Sequence, residues 1–271
     1  STIALTAFLQ TDIISAISVI CKAYRESGVP ERIQNGGKRM NPEQLKGRSL
    51  VTLKNWTPDE IRYVLELSHS VKKAARTSTV HQRFVGKTLA MIFEKRSTRT
   101  RCAFETAFGE EGGHPVFLST QDIQLGSKES VEDTARVLGR MFSAIEFRGF
   151  KQSTVETLAR EAGVPVYNGL TDQYHPTQAL ADVLTLQEIF GTVQGKKLCY
   201  VGDGRNNVAR SLCVICAKLG INFTVIAPPE LSTDRELLDE CSQWAAESGS
   251  KIVVSSSLAD VLGADAVYTD V

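Results

Sequence analysis

The chain has 271 residues, 31 Lys+Arg against 31 Asp+Glu, and 42% hydrophobic residues. That length holds one large or two ordinary domains with an ample core. Zero formal net charge excludes a general nucleic-acid tracker, which needs a basic surface. No apolar run of about 18 residues exists, which excludes a membrane-spanning helix.

Cysteines stand at 21, 102, 199, 213, 216 and 241. Four lie in apolar or helical-looking runs, as reduced core thiols of a cytoplasmic protein would. Cys213 and Cys216 have a metal-like spacing, but no second pair or nearby His completes it, so helix core is expected. The first 20 residues contain no Lys or Arg, which speaks against a secretory signal or transit peptide. Ser1 in place of an initiator Met implies a processed, trimmed or omitted start.

Residues 1–40 read as an N-terminal extension, a helix ending near Gly28 and then a Gly-rich link over 34–39, with no evident function. The next helix is announced at 57–60, where Thr57 can cap, Pro58 fits the first turn and Glu60 completes a capping box. Ile61, Val64, Leu65, Ser68 and Val71 then share one face. Strand-length apolar runs follow at 88–93, 115–119, 143–147 and 164–167, with helical segments near 98–110, 130–142 and 152–162. A long helix spans about 176–190. A second series of strands occupies 197–203, 223–228, 251–255 and 266–271. This alternation predicts an α/β protein of two doubly wound domains with parallel sheets, joined by the long helix. The expected domains are 41–188 and 189–271. The second is expected to be incomplete, because the sequence stops at the end of a strand.

Four stretches carry candidate chemistry. In 94–101 (EKRSTRTR), four basic and three hydroxyl side chains crowd a strand-to-helix turn. Such a turn sits at the carboxyl edge of a parallel sheet, where ligands bind. A helix beginning near Thr98 offers free N–H groups to an anion. Ser97, Thr98 and Thr100 add hydroxyl donors, and Arg99 and Arg101 add forked cations suited to phosphate. The plainer alternative is a solvated basic helix start. No P-loop pattern is present. In 146–150 (EFRGF), Arg148 puts a cation at the same edge, unless it is simply a surface arginine. In 174–182 (YHPTQALAD), His175 and Gln178 lie one helical turn apart. They suit a small group bearing a carbonyl oxygen and an NH2, or else form a helix cap and a solvated amide. In 202–212, Gly202 and Gly204 imitate a dinucleotide fingerprint, but Asn207 stands where its third glycine should be. Tandem asparagines suit an amino-acid head group better than a pyrophosphate.

Together these motifs resemble the aspartate/ornithine carbamoyltransferase family, from about residue 46 to the end. Ser97 to Arg101 matches its carbamoyl-phosphate loop, and Phe147-Arg148-Gly149 and His175-Pro176-Thr177-Gln178 match its other carbamoyl-phosphate elements. Gly202-Asp203 with Asn206-Asn207 resembles the ornithine branch. The resemblance implies one domain for carbamoyl phosphate, one for L-ornithine, and a homotrimer whose neighbouring subunit lends a polar residue, here Gln124. Carbamoyl phosphate would be held by Ser97, Thr98, Arg99, Thr100, Gln124, Arg148, His175 and Gln178. Arg148, His175 and Thr100 would polarise its carbonyl. Asn207 and Asp270 would hold ornithine. Neither metal nor cofactor is implied. The sequence departs from the family in lacking its Ser-Met-Gly and His-Cys-Leu-Pro segments. A sister carbamoyltransferase with another amine acceptor, or a non-catalytic paralogue, stays open as an alternative.

Overall fold

The computed structural model describes residues 3–5, 41–77, 82–119, 123 and 129–270. Helix α1 (Pro58–Arg76) starts where the capping box places it. The Thr57 hydroxyl accepts from the Glu60 N–H at 3.3 Å, and the Glu60 carboxylate accepts from the Thr57 N–H at 2.7 Å. The expected apolar face, including Ser68, is buried.

The first sheet is parallel, in the order β3 (His114–Ser119), β2 (Thr88–Phe93), β4 (Ala144–Arg148), β5 (Val166–Leu170). Strand alternation divides its side chains between two faces. Leu89, Met91 and Phe93 join the core under α1, α2 (Thr98–Glu110) and α5 (Pro176–Phe190). Ala90, Ile92, Ile145 and Phe147 face α3 (Val131–Met141) and α4 (Gln152–Glu161). Both faces are therefore covered, as a parallel sheet requires.

The second sheet is also parallel. Its order is β1 (Ile3–Leu5), β9 (Ala266–Tyr268), β6 (Lys197–Val201), β7 (Asn222–Ile226), β8 (Ile252–Ser255). Helices α6 (Asn207–Leu219) and α7 (Arg235–Ser248) cover one face. Among the described residues the other face carries a small cluster of Cys199, Ile226 and Ala264, with Val261 of the turn over 258–261 packed against it. Residues 3–5 correct the helical reading of the N-terminal stretch. A sheet edge offers unpaired N–H and C=O groups, and these three residues satisfy them along β9. The rest of 1–40 lies outside the described residues. Cys213 and Cys216 are buried in α6, as helix core. No described helix is long and apolar enough to cross a membrane.

One apolar core runs through both domains, because α5 packs against both α1 and α6. Lys218 of α6 adds a polar tie. Its buried ammonium donates to the carbonyls of Leu53 and Trp56, at 3.0 and 2.7 Å, and to that of Lys54. It also stands 4.3 Å from the Trp244 ring centroid. Lys218→Met keeps the apolar stem but orphans three carbonyls. The expected loss is about 3 kcal/mol, read as a lower urea midpoint with an unchanged slope.

Candidate active site

The carboxyl edge of the first sheet gathers three of the four sequence motifs. After β2 the chain turns into α2, and Ser97 is the N-cap. Its hydroxyl accepts from the Thr100 N–H at 3.2 Å and donates to the Thr100 hydroxyl at 3.1 Å. Thr98 and Arg99 are exposed at the helix mouth, and Arg99 forms no ion pair with the described residues. Arg101 turns elsewhere, pairing with Glu105 at 3.0 Å and stacking 3.7 Å above Phe117. Arg99, inside the first turn of α2, is thus a forked cation left for an anion.

The turns after β2 and β4 are laced together. The Arg148 carbonyl accepts from the Glu94 N–H at 2.9 Å, and the Glu94 carboxylate accepts from the Phe150 N–H at 3.2 Å. A side chain at Gly149 would collide with that carboxylate, whose Oε2 lies 2.3 Å from where a Cβ would stand. Arg148 is fixed by donating to the Thr100 hydroxyl at 3.1 Å and to the Gly169 carbonyl at 3.3 Å. Its Nε is buried without a hydrogen-bond partner among the described residues. Burial, outweighing the attraction of Glu146, lowers the Arg148 pKa, and Arg99 pushes the same way.

Glu146 lies two residues before Arg148 on β4. It is fully buried, and neither oxygen finds a hydrogen bond among the described residues. Burial drives its pKa well up, against the pull of Arg148. It fits only because residue 169 is glycine: a Cβ there would stand 1.9 Å from its Oε1. Sequence reading passed over Glu146. The available signal was a carboxylate in the middle of a strand buried on both faces.

His175 opens α5 but makes no side-chain cap bond. Its backbone N–H donates to Ser211 of α6 at 2.8 Å, and its Nδ1 lies 3.3 Å from the Thr177 hydroxyl. Burial first, and Arg148 second, hold its pKa down to about 3. The imidazole is therefore neutral and can donate one N–H without adding charge. Gln178 lies one turn further along and is partly buried.

The second domain meets this edge through α6. Asn206 caps the helix, accepting from the Val208 N–H at 2.7 Å. Asn207 reaches across and donates to the Thr171 carbonyl at 2.7 Å. Asp203 is occupied by Arg205, at 2.8 Å. Asp270 follows β9, and its charge, after burial, helps push the Tyr200 phenol up. Tyr200 stacks with Tyr268 at 5.9 Å. Gln124 lies outside the described residues. The structure thus brings Ser97, Thr100, Arg148 and His175 to one edge, where Thr100 and His175 are buried and Ser97 and Arg148 half-buried. Asn207 stands at the domain seam, and Asp270 lies on the facing sheet.

Residues 48–188 match the family model for the aspartate/ornithine carbamoyltransferase carbamoyl-P binding domain, and residues 194–271 match that for the Asp/Orn binding domain. The chain is similar to an ornithine carbamoyltransferase of Caldanaerobacter subterraneus, with 64% identity over 228 residues, 84% of this chain and 73% of the relative. One from Thermotoga maritima is 59% identical over the same shares. Among solved structures, ornithine carbamoyltransferase from Pyrococcus furiosus aligns with a TM-score of 0.81 at 45% identity, covering 83% of this chain and 72% of that one. The Thermus thermophilus structure gives 0.73 at 38% identity, covering 82% and 74%. The chain belongs to the aspartate/ornithine carbamoyltransferase family.

Proposed function

We propose that this protein transfers the carbamoyl group of carbamoyl phosphate to the δ-amine of L-ornithine, giving L-citrulline and phosphate. The observation that carries this reading is the neutral, buried His175 at the same edge as the fixed Arg148–Thr100 pair. The names of the relatives support ornithine as the acceptor.

In this reading the phosphate sits at the N-terminus of α2, on Ser97, Thr98, Arg99 and Thr100. Arg148, His175 and Thr100 donate to the carbonyl oxygen, and Gln178 holds the carbamoyl NH2. The uncharged δ-amine attacks the carbonyl carbon. A C–N bond forms, negative charge collects on the oxygen, and the C–O bond to phosphate then breaks, the departing phosphate taking up the proton that the attacking nitrogen loses. Donors fixed before the reaction stabilise that charge without reorganising. Closure of the domains across the Asn207–Thr171 seam would exclude water. Asn207 and Asp270 suit the carboxylate and ammonium of the head group, leaving the δ-amine free. Gln124 would reach the site of a neighbouring subunit in a homotrimer. A cytoplasmic role in arginine metabolism fits this chemistry.

The test is product formation with ornithine, putrescine and aspartate offered in turn. Citrulline from ornithine is expected, and carbamoyl-aspartate as the main product would refute the ornithine reading. A narrower prediction concerns Arg99→Ala. It removes a forked cation at the mouth of α2 that forms no ion pair among the described residues, and should weaken carbamoyl phosphate binding by roughly 2–4 kcal/mol. Calorimetric titration checks this. An unchanged dissociation constant in a folded variant would remove Arg99 from the phosphate site.

A further inference from the structure

Asp182 lies one helical turn beyond Gln178 on α5 and is 3% exposed. It is the lone charged residue among the buried positions of that helix, and burying a carboxylate is costly unless something needs it. Its Oδ1 accepts from Nε2 of Gln178 at 2.8 Å. That bond settles a choice that an amide otherwise leaves open. The two ends of a glutamine amide are nearly alike in size, and a half-turn about its last bond exchanges donor for acceptor. A carboxylate can only accept. Turning Oε1 toward it would set two acceptors face to face, so Nε2 faces Asp182 and Oε1 faces away. The carboxylate also stands where the domains meet. After burial, its charge is the next largest influence pushing the Tyr268 phenol of β9 up.

We infer that Asp182 is a positioning residue that fixes Gln178 as a hydrogen-bond acceptor, and that the site thereby selects an acyl phosphate ending in NH2 over isosteres ending in CH3 or O⁻. The inference rests on the proposed function, in which Gln178 faces the carbamoyl group. An NH2 donates to Oε1. A methyl group leaves Oε1 without a donor from the ligand. An oxyanion meets it as a second acceptor. Sites built around one buried polar partner discriminate strongly against ligands that leave it unpaired. With the amide free to turn, the same pocket would accept all three more evenly.

The probes are phosphonoacetamide and acetonylphosphonate, stable phosphonates that differ only in NH2 against CH3, titrated calorimetrically into the full chain. The unaltered protein is expected to prefer the amide by about tenfold or more, the worth of one net hydrogen bond with its desolvation. Asp182→Asn should bring that ratio close to one, while affinity for inorganic phosphate changes by less than about twofold, since the phosphate loop lies elsewhere. The double variant Gln178→Glu with Asp182→Asn should restore the preference. There the introduced amide donates to the introduced carboxylate, whose other oxygen again accepts from the ligand. A loss of packing alone would not be repaired in this way, and the double variant carries the test if the single one does not fold. Full preference retained in Asp182→Asn, or equal binding of both phosphonates by the unaltered protein, overturns the role of Asp182 and leaves the carbamoyl transfer reading standing. Failure of the unaltered protein to bind either phosphonate or inorganic phosphate overturns both.

Discussion

Replacing His175 by alanine is expected to lower ornithine-dependent citrulline formation by about 10²–10³ in kcat, with a smaller change in KM for carbamoyl phosphate. The imidazole is buried, its backbone is pinned to Ser211, and its ring adds no positive charge. It therefore contributes little to holding a dianion. In the proposed mechanism its N–H matters when the carbonyl oxygen becomes negative, which is a contribution to the transition state. A variant with near-normal turnover would reduce His175 to the backbone cap of α5. The pKa of about 3 adds a signature in pH. The folded state holds this proton more weakly than the unfolded chain, whose value lies near 6.5. Stability from this group is complete above about 6.5 and is lost as pH falls toward 3. His175→Gln should therefore denature at a lower pH than the unaltered protein. The citrulline rate should show no inflection from His175 between pH 5 and 8.

Much of the fold could be read from local chemistry. The start of α1 was visible in Thr57, Pro58 and Glu60, because capping is decided within four residues. The start of α2 was visible in Ser97 for the same reason. Strand β5 was harder. The apolar run at 164–167 pointed to an earlier strand than the observed Val166–Leu170. Pro165 has no N–H to give and enters only as an acceptor, from Ile145 at 2.9 Å. Asn168 and Gly169 look unlike strand residues. They are there for tertiary reasons. The Asn168 amide donates to the carbonyls of Val51 and Tyr174, at 2.9 and 3.3 Å, and Gly169 makes room for Glu146. No local pattern contains those partners.

The candidate site divides in the same way. Arg148, His175 and Gln178 could be read as candidates because each sits at an element boundary that the sequence announces. What fixes them could not. Thr100 and Gly169 hold the Arg148 guanidinium across 48 and 21 residues of chain. Asn207 had a head-group reading from its neighbours. In the structure its amide donates to the Thr171 carbonyl, so one residue links the two domains at the place where the second substrate would lie. Whether an amide meets a ligand or a carbonyl depends on how the domains meet, which periodicity does not encode.

Arg148→Met is expected to lower citrulline formation by about 10³ in kcat/KM, because in the proposed mechanism it removes the cation that faces the carbonyl oxygen. The variant's stability should also depend more steeply on pH, for a separate reason. Glu146 is fully buried, and the attraction of Arg148 opposes the burial that drives its pKa up. Without Arg148 that pKa rises further. The folded state already holds the Glu146 proton more tightly than the unfolded chain, so stability falls as pH rises above the ordinary value of 4.5, and the variant steepens that fall. From pH 5 to pH 8, Arg148→Met should lose more stability than the unaltered protein, because nothing then opposes the burial of Glu146. Urea titrations at the two pH values measure this. Adding Glu146→Gln should remove the slope, since an amide has no proton to lose, and should leave turnover as low as in Arg148→Met alone. If the double variant regained turnover, the damage in the single variant would lie in the buried carboxylate, and Arg148 would lose its place at the reacting carbonyl.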